Sequence, residues 1–334
     1  MSTRHDRRRR AISDTPADTV AAVKAALVRP PPSGPSGRVV VAAPSGPVPE
    51  ARLVEGLSVL RDLQVGEISL APNLGARTGY FAGEDGVRLA ALQAALDDPE
   101  VTAIVCARGG YGLTRLLPHL QPAGFRAAPK LLVGFSDATA LLCWGLRAGV
   151  CSLHGPVVTQ LAALPAADVQ RLAQLMRGEL PAPLTGDEGL GTARVVAPLV
   201  PANLEVLRSL VGTPWLPDLA GTIVALEEIG ERPYRIDRAL TQLITSGAFA
   251  GVRGFAVGQL YACDEPTAGN PDSPSARAVM RERLAGLDVP VVLGLPFGHL
   301  PHEHAALPCG TRVELDPVRA TLTALEPVTA RASG

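Results

Sequence analysis

Lys130-Leu-Leu-Val-Gly-Phe-Ser-Asp-Ala-Thr139 carries a short apolar run, Leu131 to Val133, straight into a stretch of helix formers at 138–146, with Ser136 at the break. The run has the length of a buried strand, and alanine and leucine favour the helix after it. A serine on such a strand-to-helix turn stands clear of the sheet edge. The first N–H groups of the helix lack intrahelical partners and point at whatever binds beside it. The turn demands small residues two before and two after the serine. Gly134 and Ala138 supply them, a partial match to the G-x-S-x-G pattern of hydrolase nucleophiles. A plainer reading fits the same residues: Ser136 or Asp137 as a helix cap.

Outward from this turn the alternation of strand and helix repeats. Residues 38–43 (RVVVAA) form a β-branched run ending in Pro44-Ser-Gly-Pro47, and a helix is expected over 50–63. A strand at 67–70, a helix at 86–96 and a continuous apolar strand at 101–107 follow. That strand leads into Arg108-Gly-Gly-Tyr-Gly112 and a helix from 113 to about 120. Strands of unbroken apolar character separated by helices predict a parallel sheet covered on both faces. Ligands of such sheets sit at the carboxyl ends of the strands, so the glycine-rich turn and the Ser136 turn are placed to face one pocket. The glycine turn lacks dinucleotide spacing. Counted from Gly110 the third glycine falls on Arg115, and counted from Gly109 the second falls on Tyr111. A tight turn lending an N–H to a neighbouring site is the better reading.

Residues 161–200 read as a linker with one helix at 167–177. The expected organisation is a flexible Arg/Pro-rich tail at 1–37, an α/β domain at 38–160, the linker, and an α+β domain at 201–330. The tail holds four arginines at 7–10, a short helical possibility at 17–27 and a proline- and glycine-rich run to Gly37. In the last domain, helices are expected at 204–211 and 235–246, and strands at 222–227, 252–260, 289–293, 312–315 and 319–325.

A length of 334 residues suggests two domains, and a hydrophobic content of 47% can fill both cores. A net charge of −1 gives no general attraction to nucleic acid or an anionic membrane, so a small partner is expected. The five cysteines include no C-x-x-C pair and lie in apolar surroundings, as in a reduced cytoplasmic protein. No apolar stretch approaches the roughly 20 residues of a membrane span, and no apolar segment follows the arginine run as in a secretory signal.

The second half offers a carboxylate pair and a histidine cluster. Glu227-Glu228 closes the strand at 222–227, where a mobile surface pair is the ordinary expectation, yet a carboxylate at a strand end is well placed to orient a base. His299 ends the apolar stretch 291–297, and His302, Glu303 and His304 follow. Three histidines this close suggest zinc, but the loop is broken by prolines and lacks H-E-x-x-H spacing. His302 and His304 are therefore expected on the surface.

Ala43-Pro-Ser-Gly-Pro47, Arg108-Gly-Gly-Tyr-Gly112, Gly134-Phe-Ser-Asp-Ala-Thr139, His154-Gly-Pro156, Asn203-Leu204, the run Leu226-Glu-Glu-Ile-Gly-Glu-Arg-Pro-Tyr-Arg-Ile-Asp-Arg238 and Leu295-Pro-Phe-Gly-His299 occur in one order. In these motifs the chain resembles the LD-carboxypeptidases, or muramoyl-tetrapeptide carboxypeptidases, a family that also holds microcin C immunity peptidases. The likeness spans about 38–325. It implies a Rossmann-like N-terminal domain, a smaller β-rich α+β C-terminal domain, and serine peptidase chemistry without metal or cofactor. By position it implies Ser136 as nucleophile, His299 as base and Glu227 as the orienting carboxylate, with Glu228 the alternative register. The N–H groups of Asp137 and Gly110 would form the oxyanion hole. Arg108 and Tyr111 are expected at the substrate, Arg108 as the hand for its free carboxylate. The implied substrate is a murein tetrapeptide cut at the L,D-bond to terminal D-alanine, with an aminoacyl-nucleotide toxin as the immunity-type alternative. A homodimer is expected. Pro201-Ala202 departs from the family's two glycines before Asn203. A histidine-dependent metallohydrolase and a non-enzymatic α/β binding module are the competing classes.

Overall fold

The computed structural model describes residues 27–266 and 272–330, and the four arginines and nearly all of the helical possibility at 17–27 lie outside them. In the first half, strands β1 (Arg38–Ala42), β2 (Glu67–Leu70), β3 (Val101–Cys106), β4 (Leu131–Gly134) and β5 (Ser152–His154) alternate with helices α1 (Glu50–Asp62), α2 (Asp85–Asp97), α3 (Leu113–Leu116), α4 (Ala123–Ala127) and α5 (Thr139–Arg147). All neighbouring pairs among these strands are parallel. Their residues are buried almost throughout β1, β3 and β4, because helices cover both faces.

The second half holds α6 (Ala166–Arg177), β6 (Leu184–Thr185), β7 (Glu188–Leu190), β8 (Val195–Asn203), α7 (Leu204–Ser209), β9 (Ile223–Ile229), α8 (Pro233–Thr245), β10 (Gly254–Tyr261), α9 (Ala276–Ala285), β11 (Val291–Leu293), β12 (Leu307–Cys309), β13 (Arg312–Asp316) and β14 (Thr321–Ala324). Eight of these strands form a mixed sheet in the order β6-β14-β13-β8-β9-β10-β11-β7. The fold class read from the sequence, a parallel α/β unit followed by a β-rich α+β unit, describes this architecture.

The connections are tighter than the sequence suggests. β12 leaves the second half and pairs antiparallel with β5, so the first sheet runs β12-β5-β4-β3-β1-β2. Leu141, Leu142 and Trp144 of α5 share one buried cluster with Leu204 and Leu207 of α7 and Leu240 and Leu243 of α8. The stretch read as a linker contains α6, β6, β7 and most of β8. Pro198 and Pro201 disguise β8, since proline within a run argues against a strand; here Pro201-Ala202 continues it, paired with Ala225 and Leu226 of β9. The end of the expected tail is also built in. Val28 donates its N–H to Gly149 and accepts from Cys151, Ser33 donates to Met176, and Arg29 pairs with Glu326 at 2.7 Å.

One close approach positions the site. A Cβ on Gly56 would fall 1.9 Å from the carbonyl oxygen of Val158. Only glycine therefore lets α1 lie directly on the turn after β5.

Candidate active site

Ser136 follows β4 with φ 60°, a left-handed conformation that a serine adopts at a cost of roughly 1–3 kcal/mol. Gly134 is required beneath it, because a Cβ there would meet Ala138 Cβ at 2.8 Å and Cys106 Sγ at 3.0 Å. Neither Ser136 nor Asp137 caps the helix that follows. The Asp137 side chain turns inward instead, and its Oδ2 accepts from Leu113 N, the first amide of α3, at 3.0 Å. Burial raises the Asp137 pKa, opposed by the hydrogen bond from the Leu113 amide.

The glycine turn folds over this serine. Gly110 and Gly112 hold φ of 118° and 126°, which only glycine accepts readily. Gly46 N donates to Gly109 O at 3.1 Å, tying the turn to the loop after β1. A Cβ on Gly109 would stand 3.0 Å from both Cβ and Oγ of Ser136. Gly110, Arg108 and Ser136 line one cavity of about 620 Å³ together with His299. Arg108 is anchored through Nη1, which donates to Pro47 O at 2.5 Å. Tyr111 does not line this cavity; it packs its ring against Tyr80 and Phe81, with centroids 5.9 and 5.8 Å away.

Opposite the serine, His299 Nδ1 lies 2.6 Å from Glu227 Oε2. Glu227 is completely buried near the end of β9, and Gly298, at φ 134°, passes so close that its Cβ would stand 3.2 Å from that of Glu227. Gln259 Oε1 accepts from Leu300 N at 2.7 Å, and Phe135 packs on the imidazole with ring centroids 4.5 Å apart. The ring is thus held on both sides, with Nδ1 directed at the carboxylate.

Alternation along β9 sends Glu228 the other way. It accepts from Asn203 Nδ2 at 3.0 Å, Glu205 N at 2.8 Å and its neighbour Ile229 N at 2.8 Å. Asn203 in turn caps α7 through Oδ1. The pair is therefore not a mobile surface feature, because both carboxylates are enclosed by packed elements. Burial pushes the Glu228 pKa up to about 7, against the hydrogen bond from Ile229 N and with the help of the Glu227 charge.

The remaining histidines separate. His302 is exposed and its Nδ1–H donates to Ala163 O at 3.1 Å. His304, expected on the surface, is fully buried because the chain turns inward toward β12; its ring stacks on that of His154 and meets Phe135 edge-on. Burial lowers the His154 pKa to about 3 and drives that of His304 well down, so both rings are neutral packing groups. All five cysteines are buried thiols. Among the described residues no helix is long and apolar enough to cross a membrane.

Three cavity residues carry no sequence signal of their own: Arg52 and Glu55 on α1, and Gln160 after β5. Arg52 and Glu55 reach the site through the packing of α1 at Gly56, and Gln160 lies in the turn against which that glycine packs.

Residues 39–155 match the LD-carboxypeptidase N-terminal domain and residues 196–315 the LD-carboxypeptidase C-terminal domain. A putative carboxypeptidase of Synechocystis sp. is 40% identical over 303 residues, 90% of this chain and 98% of that protein. The murein tetrapeptide carboxypeptidase of Pseudomonas aeruginosa is 34% identical over 280 residues, covering 79% and 88%. A crystal structure of muramoyltetrapeptide carboxypeptidase from Oxalobacter formigenes superposes with a TM-score of 0.76 at 29% identity, covering 87% of this chain and 99% of that one. The self-immunity protein MccF, in complex with glutamyl sulfamoyl guanosine, gives a TM-score of 0.80 at 19% identity, covering 91% and 100%, a likeness of fold.

Proposed function

Because this chain belongs to the LD-carboxypeptidase family, we propose that it is a serine carboxypeptidase that removes the terminal D-alanine from murein tetrapeptides through Ser136, His299 and Glu227. The observation that carries this reading is one cavity shared by a serine on a strained turn and a histidine whose Nδ1 meets a buried carboxylate at 2.6 Å.

In this reading Glu227 fixes the tautomer with the proton on Nδ1, leaving Nε2 as the base. The imidazole takes the Ser136 hydroxyl proton as the oxygen attacks the scissile carbonyl. The N–H groups of Asp137 and Gly110 hold the oxyanion. The imidazolium then returns its proton to the departing amine of D-alanine, and water repeats the sequence to release the shortened peptide. Arg108, tethered at the cavity wall, takes the free carboxylate that distinguishes a chain end.

The test is mass spectrometry of purified muropeptides, in which tetrapeptide becomes tripeptide with the unaltered protein and stays intact with Ser136→Ala. Activity retained in Ser136→Ala overturns the nucleophile. Turnover confined to an aminoacyl sulfamoyl nucleoside in the same panel reassigns the substrate to the immunity type.

A further inference from the structure

A second cavity, of about 560 Å³, lies at the other end of the sheets from Ser136 and shares no residue with the first. Its place follows from the topology. Ser136 precedes α5, and Leu146 and Arg147, which line this second cavity, end that helix, roughly 13 Å along its axis. Thr222 lines it just before β9 begins, whereas Glu227 stands five residues on, roughly 17 Å at the rise of a strand. Its walls come from both halves of the chain: the end of α5 and Cys151 from the first, Val200 of β8 and the loop before β9 from the second.

The charges around it are uneven. Arg29, Arg147 and Arg312 line the cavity with two carboxylates, Asp218 and Glu326. Glu326 is already shared, one oxygen with Arg29 and the other with Arg312, each at 2.7 Å. Asp218 is folded onto its own loop, where Oδ1 accepts from Ala220 N at 3.0 Å. Arg147 makes no hydrogen bond or ion pair with another described residue. It stands beside a floor that is apolar, with Leu146, Cys151, Val200 and Pro217 all buried.

Such a lining selects its ligand by two properties. The apolar floor favours a hydrocarbon body, and the volume lies within the range of about 300–1,000 Å³ usual for small-molecule sites. An unpartnered guanidinium favours a carboxylate, which it can hold through two parallel hydrogen bonds. The excess of arginine over carboxylate repels a cation. We propose that this cavity is a binding site for a small amphiphilic carboxylate, its chain on the apolar floor and its head group on Arg147. The site stands apart from the peptidase reading above. A ligand seated there touches both halves of the chain and therefore stabilises their union.

The experiment is isothermal titration calorimetry on the full chain, residues 1–26 included, with octanoate, octan-1-ol, octylammonium and acetate. Octanoate is expected to bind at one site per chain and to raise the melting temperature as its concentration rises. The alcohol and acetate, each lacking one of the two properties, should bind at least about tenfold more weakly, and octylammonium should not bind. Arg147→Gln is expected to weaken octanoate by about tenfold and leave octan-1-ol unchanged, with Arg147→Lys restoring part of the loss. Arg108→Gln, in the cavity of Ser136, should change neither. The site is overturned if octanoate does not saturate, if the alcohol or acetate binds as tightly, or if Arg147→Gln has no effect. Octanoate binding lost in Arg108→Gln would put the carboxylate beside Ser136 and overturn it as well. Arg147 is partly exposed, so the unliganded variants are expected to melt with the parent.

Discussion

Glu227 and Glu228 are adjacent in the chain and serve opposite sides of one strand. The first carboxylate lies 2.6 Å from His299 Nδ1, and the second lies 3.0 Å from the Asn203 amide and caps the junction with α7. Their loss should therefore be felt in different measurements.

Glu227→Gln removes the partner of the proposed base, His299, and turnover is expected to fall by about 10³- to 10⁴-fold with little change in melting temperature. Glu228→Gln places an NH₂ group where backbone N–H donors converge, at a cost of about 1–3 kcal/mol, and should leave turnover per folded molecule near normal. Calorimetry beside steady-state kinetics separates the two. Equal kinetic losses in both variants would remove the assignment of Glu227.

Glu228 also predicts a pH dependence of stability. Its pKa is raised by burial from 4.5 to about 7, so the folded chain binds more protons than the unfolded chain between those values. The contribution is fully present below about pH 4.5 and is lost as the pH rises through about 7, a span worth roughly 3 kcal/mol. Urea denaturation from pH 4.5 to 8 should show this decline, and Glu228→Gln should flatten it. An unchanged slope in the variant would assign the effect elsewhere.

Gly109→Ala puts a methyl carbon 3.0 Å from Ser136 Oγ. Gly109 does not have a positive φ, so the backbone tolerates alanine and the injury falls on the hydroxyl. kcat is expected to drop by about a hundredfold, in line with misplacement of a reacting group, while the melting curve moves little. Full activity would show that the glycine turn does not confine the nucleophile.

Residues 27–36 should matter to stability more than a tail would. Deleting 1–36 removes the Val28 bridge to Val150, the Ser33 bond to Met176 and the Arg29–Glu326 pair, whereas deleting 1–26 keeps them. The longer deletion is expected to melt lower by several degrees, the scale of roughly 1–2 kcal/mol in a protein of this size. Coincident melting curves would show that these contacts add nothing.

β1, β3 and β4 of the first sheet were legible because their apolar runs are buried almost throughout and each leads into a turn of glycine, proline or serine. The Ser136 turn was legible for the same reason. What escaped had physical causes. β5 and β12 are three residues each, too short for periodicity, and the prolines of β8 mimic a loop. α9, capped by Ser275 through a 3.1 Å bond from Ala278 N, was not read at all. His304 was assigned to the surface from its polar neighbours, and only the turn toward β12 buries it. Tyr111 followed its glycines by position, but its ring is drawn to Tyr80 and Phe81. Arg52 and Glu55 look like any solvated helix face until Gly56 brings α1 onto Val158.

β12 gives the order of assembly a catalytic meaning. The sheet that carries Ser136 is closed at the β5 edge by a strand that leaves the ribosome only after β8, β9, β10 and β11 of the other sheet. His299 sits on the segment between β11 and β12, so it reaches its place as that edge is sealed. A nascent chain ending near residue 160 would hold the nucleophile turn but expose an unpaired apolar strand edge, a surface prone to misassociation. The proposed nucleophile can meet its proposed base only after the chain has extended past His299, so a shorter nascent chain holds the Ser136 turn without that base.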